Sequence, residues 1–135
     1  MNILLVYPSS FDRKGIAQKY KLGFLPPLSL AILSRLTPSH HQLKVVNDIV
    51  EEIDFEGAYD LIGITAMTTQ VERAFQIADQ FRKKGKRVVM GGVHPTSFPV
   101  EAREHCDSVV IGEAENIWGK LLADAERNTM EGFYQ

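Results

Sequence analysis

The sequence predicts an α/β fold in which a five-stranded parallel sheet, ordered 2-1-3-4-5, lies between two layers of helices. Three observations carry this expectation. Short apolar or β-branched runs bounded by turn residues alternate with helical periodicity along the whole 135-residue chain. The runs at 3–7, 61–65 and 88–91 are apolar at nearly every position, as strands covered on both faces are. No internal repeat or low-complexity stretch breaks the alternation.

Each element has its own signal. The first strand is 3–7. Pro26-Pro27 opens a helix whose residues, Leu28–Leu36, are apolar nearly all round and so should pack deeply, until Thr37-Pro38 stops it. The second strand, 43–48, carries Lys44 and Asn47, as suits a sheet edge. The segment 49–59 has no clear period; a short helix is the expectation there. After the third strand, 61–65, Thr69 and Glu72 have capping-box spacing, and Val71, Ala74, Phe75, Ala78 and Phe81 form one apolar stripe. Lys83-Lys84 and Gly85 close that helix. The fourth strand, 88–91, leads to a short helix after Pro99. A fifth strand at 108–111 precedes a last helix with Ile117, Trp118, Leu121, Leu122 and Ala125 on one face and Glu113 and Glu115 in its first turn. Right-handed crossovers then give a three-layer Rossmann-like, or flavodoxin-like, sandwich.

Composition narrows the function classes. The size fits one domain able to bury its own core. A formal charge of -2, with 15 basic and 17 acidic residues intermixed, gives no footprint for nucleic acid or an anionic membrane. One cysteine, Cys106, excludes an internal disulfide and a multi-cysteine metal site, and reads as a small residue at a helix end. The apolar start 3–6 is too short for a secretion signal, and no run approaches membrane-spanning length. The expectation is a cytoplasmic protein.

Ligands of such folds bind beyond the carboxyl ends of the strands, near the switch between strands one and three. Five segments lie there: 8–25, 66–69, 91–97, 112–115 and the end of strand two at Asn47-Asp48. The connection 8–25 is long and holds Tyr20, Phe24, Arg13, Lys14, Lys19 and Lys21. It reads equally as a lid over an aromatic or anionic ligand and as a loop that orders against another domain. Gly91-Gly92 is either a tight turn or a place where a ligand meets bare backbone, and its position favours the latter. Thr69 has a structural role as cap, whereas Thr65 and Thr68 are free to bind. His94 reads as a ligand, an acid–base group or a hydrogen-bonded loop residue. The candidate set is Pro8, Thr65, Met67, Thr68, Thr69, Gly91, Gly92, His94, Pro95, Thr96, Gly112 and Glu113. His40-His41, on the opposite edge, reads as solvated surface.

Several chemistries lack their residues. No GxGxxG and no phosphate P-loop follows the first strand. Ser9-Ser10 is a thin substitute for a flavin phosphate loop. A receiver domain needs an aspartate at the end of strand three, where Ile64-Thr65 stand. No catalytic set is identifiable by spacing.

In order along the chain, Asn2-Ile3-Leu4-Leu5-Val6-Tyr7-Pro8, Pro26-Pro27-Leu28-Ser29-Leu30-Ala31, Leu61-Ile62-Gly63-Ile64-Thr65-Ala66-Met67-Thr68, Gly91-Gly92-Val93-His94-Pro95-Thr96 and Val110-Ile111-Gly112-Glu113-Ala114-Glu115 closely resemble the N-terminal cobalamin-binding domain of cobalamin-dependent radical S-adenosylmethionine enzymes. That family includes methyltransferases and the magnesium-protoporphyrin monomethyl ester cyclase. The resemblance implies a cobalamin across the carboxyl edge of the sheet, its nucleotide tail beside the central strands. It also implies a [4Fe–4S] cluster and S-adenosylmethionine in a separate catalytic domain, because this chain has no CxxxCxxC motif. The DxHxxG motif that supplies a cobalt-ligating histidine in other cobalamin proteins is absent: after Asp12, Lys14 and Ala17 stand where His and Gly would. A base-off cofactor without that histidine is the expectation. Residues 1–128 then form the cobalamin domain, and 129–135 begin a linker to the radical domain, in cis or in trans. The alternatives are a receiver-like signalling or partner-docking domain without catalysis, and a flavin carrier.

Overall fold

The computed structural model describes residues 1–20 and 27–135. Lys21 and Phe24 of the expected lid lie outside the described residues. Strands β1 (Asn2–Tyr7), β2 (Gln42–Asn47), β3 (Leu61–Thr65), β4 (Arg87–Gly91), β5 (Ser108–Val110) and β6 (Phe133–Tyr134) form one sheet, ordered β2-β1-β3-β4-β5-β6. Every pairing is parallel. The helices are α1 (Leu28–Leu36), α2 (Val71–Lys83), α3 (Val93–Ser97), α4 (Pro99–His105) and α5 (Trp118–Glu126). The three-layer Rossmann-like architecture is therefore present, with β2 at an edge as its polar residues require, and with one strand more than expected. That strand comes from the segment read as the start of a linker.

Strand alternation divides the core into two layers. On one face, Leu4, Val6, Ile62, Ile64, Val88 and Met90 meet α2 and α4 through Ala74, Ile77, Ala78, Phe81 and Ala102. On the other face, Ile3, Leu5, Leu61, Val89 and Val110 meet Leu30 of α1 and Trp118, Leu121, Leu122 and Ala125 of α5. The short β6 is held by Tyr134, which is buried and donates its hydroxyl to Asp124 at 3.0 Å.

Four local expectations are corrected. Helix α1 is not deeply packed: Leu30 is its one buried residue, and Leu28 is 73% exposed. Its apolar circumference faces open space over the sheet and solvent beyond. Residues 49–59 hold no helix; Ile49 is buried from a turn and Ile53 from irregular chain, and Phe55 and Tyr59 pack on Phe81. Thr69 does not cap α2. The chain first makes a 3-10 turn, Thr68–Gln70, where the Gln70 side chain accepts a hydrogen bond from the Met67 amide at 3.1 Å. Finally, α5 begins at Trp118, so Glu113 and Glu115 precede it in the loop rather than filling its first turn.

Candidate functional site

The two faces differ most at the carboxyl half of the sheet. Facing α2, β3 and β4 present Ile62, Ile64 and Met90. Facing α1 and α5, the same strands present Gly63, Thr65 and Gly91, paired in register as Gly63 with Val89 and Thr65 with Gly91. Where side chains are missing, the helices cannot close on the sheet. The result is a cleft of about 520 Å³, a usual size for a small-molecule site. Leu30 and Leu33 of α1 form one wall, and Trp118 closes the floor beside Leu5 and Gly63. A Cβ on Gly63 would lie 2.7 Å from Leu5 Cδ2 and 3.8 Å from the Trp118 ring. Trp118 is itself fixed: its indole N–H donates to Thr37 Oγ1 at 2.9 Å, and that hydroxyl donates to Leu33 O at 2.7 Å.

The mouth opens at the carboxyl edge. Thr65 ends β3 and Ala66 and Met67 follow it, Gly91 ends β4 and Gly92, Val93 and Thr96 follow it, and 112–115 follow β5. Glu113 and Glu115 are the charged groups among the described residues that line it. Gly112 has φ +82° with open space around its Cα, and its amide donates to Thr96 Oγ1 at 3.0 Å.

Of the candidates named from sequence, Thr65, Met67, Gly91, Gly92, Thr96, Gly112 and Glu113 are brought together around this cleft, and Pro8, Thr68, Thr69, His94 and Pro95 are not. Pro8 is buried, its carbonyl accepting from Gln70 Nε2 at 2.7 Å. His94 does not face the cleft. Helix α3, formed where a loop was expected, turns it under the edge between Phe75 and Phe98, with Nε2 3.2 Å from Glu101 and Nδ1 3.4 Å from Thr68. Gly92 lines the mouth, yet its missing Cβ serves the fold. At φ +98° that atom would lie 2.8 Å from Thr65 Oγ1 and 3.0 Å from the Ala66 backbone, so the loop after β3 occupies the space. The sequence reading missed Tyr7, Ser29, Leu30, Leu33, Gly63 and Trp118, because each reads as ordinary core or surface until α1 is placed over the sheet.

A second network fixes the neighbouring loops. Asp48, fully buried, accepts from Ser9 Oγ at 2.6 Å, from Arg73 at 2.9 and 3.0 Å, and from Lys19 at 2.9 Å. Burial alone would push its carboxyl pKa up; the donors from Arg73, Ser9 and Lys19 outweigh burial and bring it to about 2. Lys19, expected in a lid, is thus spent on Asp48. Its loop folds back on itself through a Phe11–Ala17 bridge and reaches β2's end, where the Tyr20 amide donates to Ile49 O at 2.8 Å.

A doubly wound parallel sheet, with an apolar cleft running from its carboxyl edge down one face, defines a Rossmann-like binding domain. Comparison with known proteins then gives the family: the B12 binding domain matches residues 24–122, and the chain belongs to that family. Among curated relatives it is 43% identical over 108 residues to the bacteriochlorophyllide d C-8(2)-methyltransferase of Chlorobaculum tepidum, covering 79% of this chain and 24% of that protein. It is 35% identical over 112 residues to the C-12(1)-methyltransferase of the same organism, covering 81% and 24%. An uncharacterised methyltransferase of Pyrococcus horikoshii is 32% identical over 136 residues, covering 90% and 29%. The chain therefore spans about a quarter of the length of these relatives.

Proposed function

We propose that this chain binds cobalamin with the nucleotide tail in the α1–α5 cleft, and presents the corrin ring at the carboxyl edge to a radical S-adenosylmethionine domain for methyl transfer or related C–H chemistry. The observation that carries the reading is the cleft itself: apolar along its length, floored by Gly63 and Trp118, and opening between glycine-containing loops. Leu30, Leu33 and Trp118 would grip the tail, while Thr65, Thr96 and the backbone around Gly112 offer hydrogen bonds at the mouth. Bound cobalamin supplies a cobalt centre able to carry a methyl group. The chain's contribution is to bind that cofactor, orient it and keep water from its buried part.

Two features favour a base-off cofactor with no histidine below the cobalt. Lys14 and Ala17 replace the DxHxxG residues, and no histidine lines the cleft among the described residues. The methyltransferase relatives, about four times as long as the matched region, favour a further catalytic domain in cis or in trans. The radical chemistry, with its [4Fe–4S] cluster and S-adenosylmethionine, belongs to that domain.

The test is retention of hydroxocobalamin after desalting, with a visible spectrum of the protein fraction. Wild type should retain the corrinoid with a base-off spectrum. Ser29→Trp, on an exposed position of α1 that borders the cleft, should lower retention at least tenfold without lowering the melting temperature. Equal retention by folded Ser29→Trp would place the tail elsewhere, and no retention by folded wild type would remove the reading.

A further inference from the structure

His40, His41 and Glu126 meet at the opposite end of the molecule from the cleft, where the turn before β2 passes the carboxyl end of α5. His40 Nε2 lies 3.3 Å from Glu126 Oε1, and His41 Nε2 lies 3.7 Å from the same oxygen. One ligand atom from each of the three residues falls within 4.8 Å of the others. Donors bound tetrahedrally at about 2.0–2.1 Å from a zinc ion stand roughly 3.4 Å apart, so two of the three separations already match such a site. The third, within 4.8 Å, closes by rotation of His40, whose side chain is 63% exposed.

We infer that these three residues form a binding site for a divalent cation of zinc's class. Two imidazoles and one carboxylate suit that class better than calcium or magnesium, which take all-oxygen shells. The His41 side chain is only 1% exposed, so one ligand is held in place before the ion arrives. Its other ring nitrogen, Nδ1, is occupied by the Met1 nitrogen at 3.2 Å, which leaves Nε2 directed to Glu126. Glu126 closes α5, where the negative end of the helix dipole also favours a cation. Three ligands leave a fourth position for water. An ion here would brace the far end of the helix whose first residue, Trp118, floors the cleft. None of the three ligands lines the cleft.

The experiment is calorimetric titration of the tag-free, metal-stripped 135-residue chain with zinc chloride at neutral pH, in buffer containing magnesium. One equivalent should bind in the micromolar range. Because His41 is buried, the informative variants are the exposed partners: His40→Ala and Glu126→Gln should each weaken binding at least tenfold. His105→Ala should leave it unchanged, since His105 pairs with Asp79. Cobalt(II) in place of zinc, on corrinoid-free protein, should give the visible bands of a tetrahedral ion and lose them in Glu126→Gln. Absence of zinc binding by wild type, or equal affinity in both variants, would overturn the inference.

Discussion

Asp48 gathers three segments of the carboxyl edge: Ser9 and Lys19 from the loop after β1, Arg73 from α2, and its own position at the end of β2. Removing its charge takes the buried carboxylate from Arg73 and Lys19, which keep only the more exposed Gln76, Glu51 carbonyl and Glu52 contacts, so Asp48→Asn should cost about 3 kcal/mol in urea unfolding at neutral pH. The pH dependence has a fixed sign. A carboxyl near 3.9 when unfolded and about 2 when folded stabilises fully above about pH 4, and that stability is lost as pH falls through 2. The stability gap between wild type and Asp48→Asn should therefore narrow as the pH is lowered across that window. Gly92 makes a second prediction: Gly92→Ala forces a Cβ against Thr65 and Ala66 at φ +98°, and should lower stability by about 2–3 kcal/mol. Chemical denaturation measures this, and a neutral result would mean that the β3 loop yields readily. Cys106 has no exposed surface and donates to Ala102 O and Ser108 O; burial raises its pKa to about 11. It should resist thiol reagents in the native protein and react only on unfolding.

At the scale of elements, β6 covers the edge of β5. The Val109 amide donates to Gly132 O at 3.0 Å and the Ile111 amide to Tyr134 O at 2.8 Å. Tyr134 pins this two-residue strand through Asp124 and lies beneath the Lys120 ammonium, 4.7 Å from the ring centre. Tyr134→Ala should cost about 2–4 kcal/mol and speed hydrogen exchange at Val109 and Ile111 while leaving β1 protected. Unchanged exchange would mean that β6 adds nothing to the sheet. Helix α1 behaves differently, because its inner face borders the cleft: a ligand there should protect its amides more than those of α2.

For the whole molecule, the two edges of the sheet should respond differently to a ligand in the cleft. Corrinoid loading should slow exchange at 65–67, 91–93 and 112–115 and leave the opposite edge, around Asp60 and Lys86, unaffected. Protection spread evenly over both edges would indicate general stabilisation rather than occupation of the cleft. No helix among the described residues is long and apolar enough to cross a membrane. Exposed Leu28, Met67 and Val93 stand near the mouth, an apolar rim left on the side where the proposed partner domain would dock.

Much of this architecture was legible in the chain itself. Alternating apolar strands and helical stripes specified five of the six strands, because burial on both faces demands that pattern, and right-handed crossovers gave their order. Chain order also brought Thr65, Gly91, Thr96 and Gly112 to one edge. Tertiary structure alone decided the rest. Gly63 and Gly91 make a cleft only because strand register sets them on the face under α1, and Trp118 becomes its floor only once α5 crosses there. His94 was drawn away by the short helix α3, which packs on α4, β4 and β5 and sets the ring between Phe75 and Phe98, and Phe133–Tyr134 became a strand because β5 offered an unpaired edge. Local sequence fixes which residues seek burial or a hydrogen bond; which partner satisfies each is settled between segments far apart in the chain.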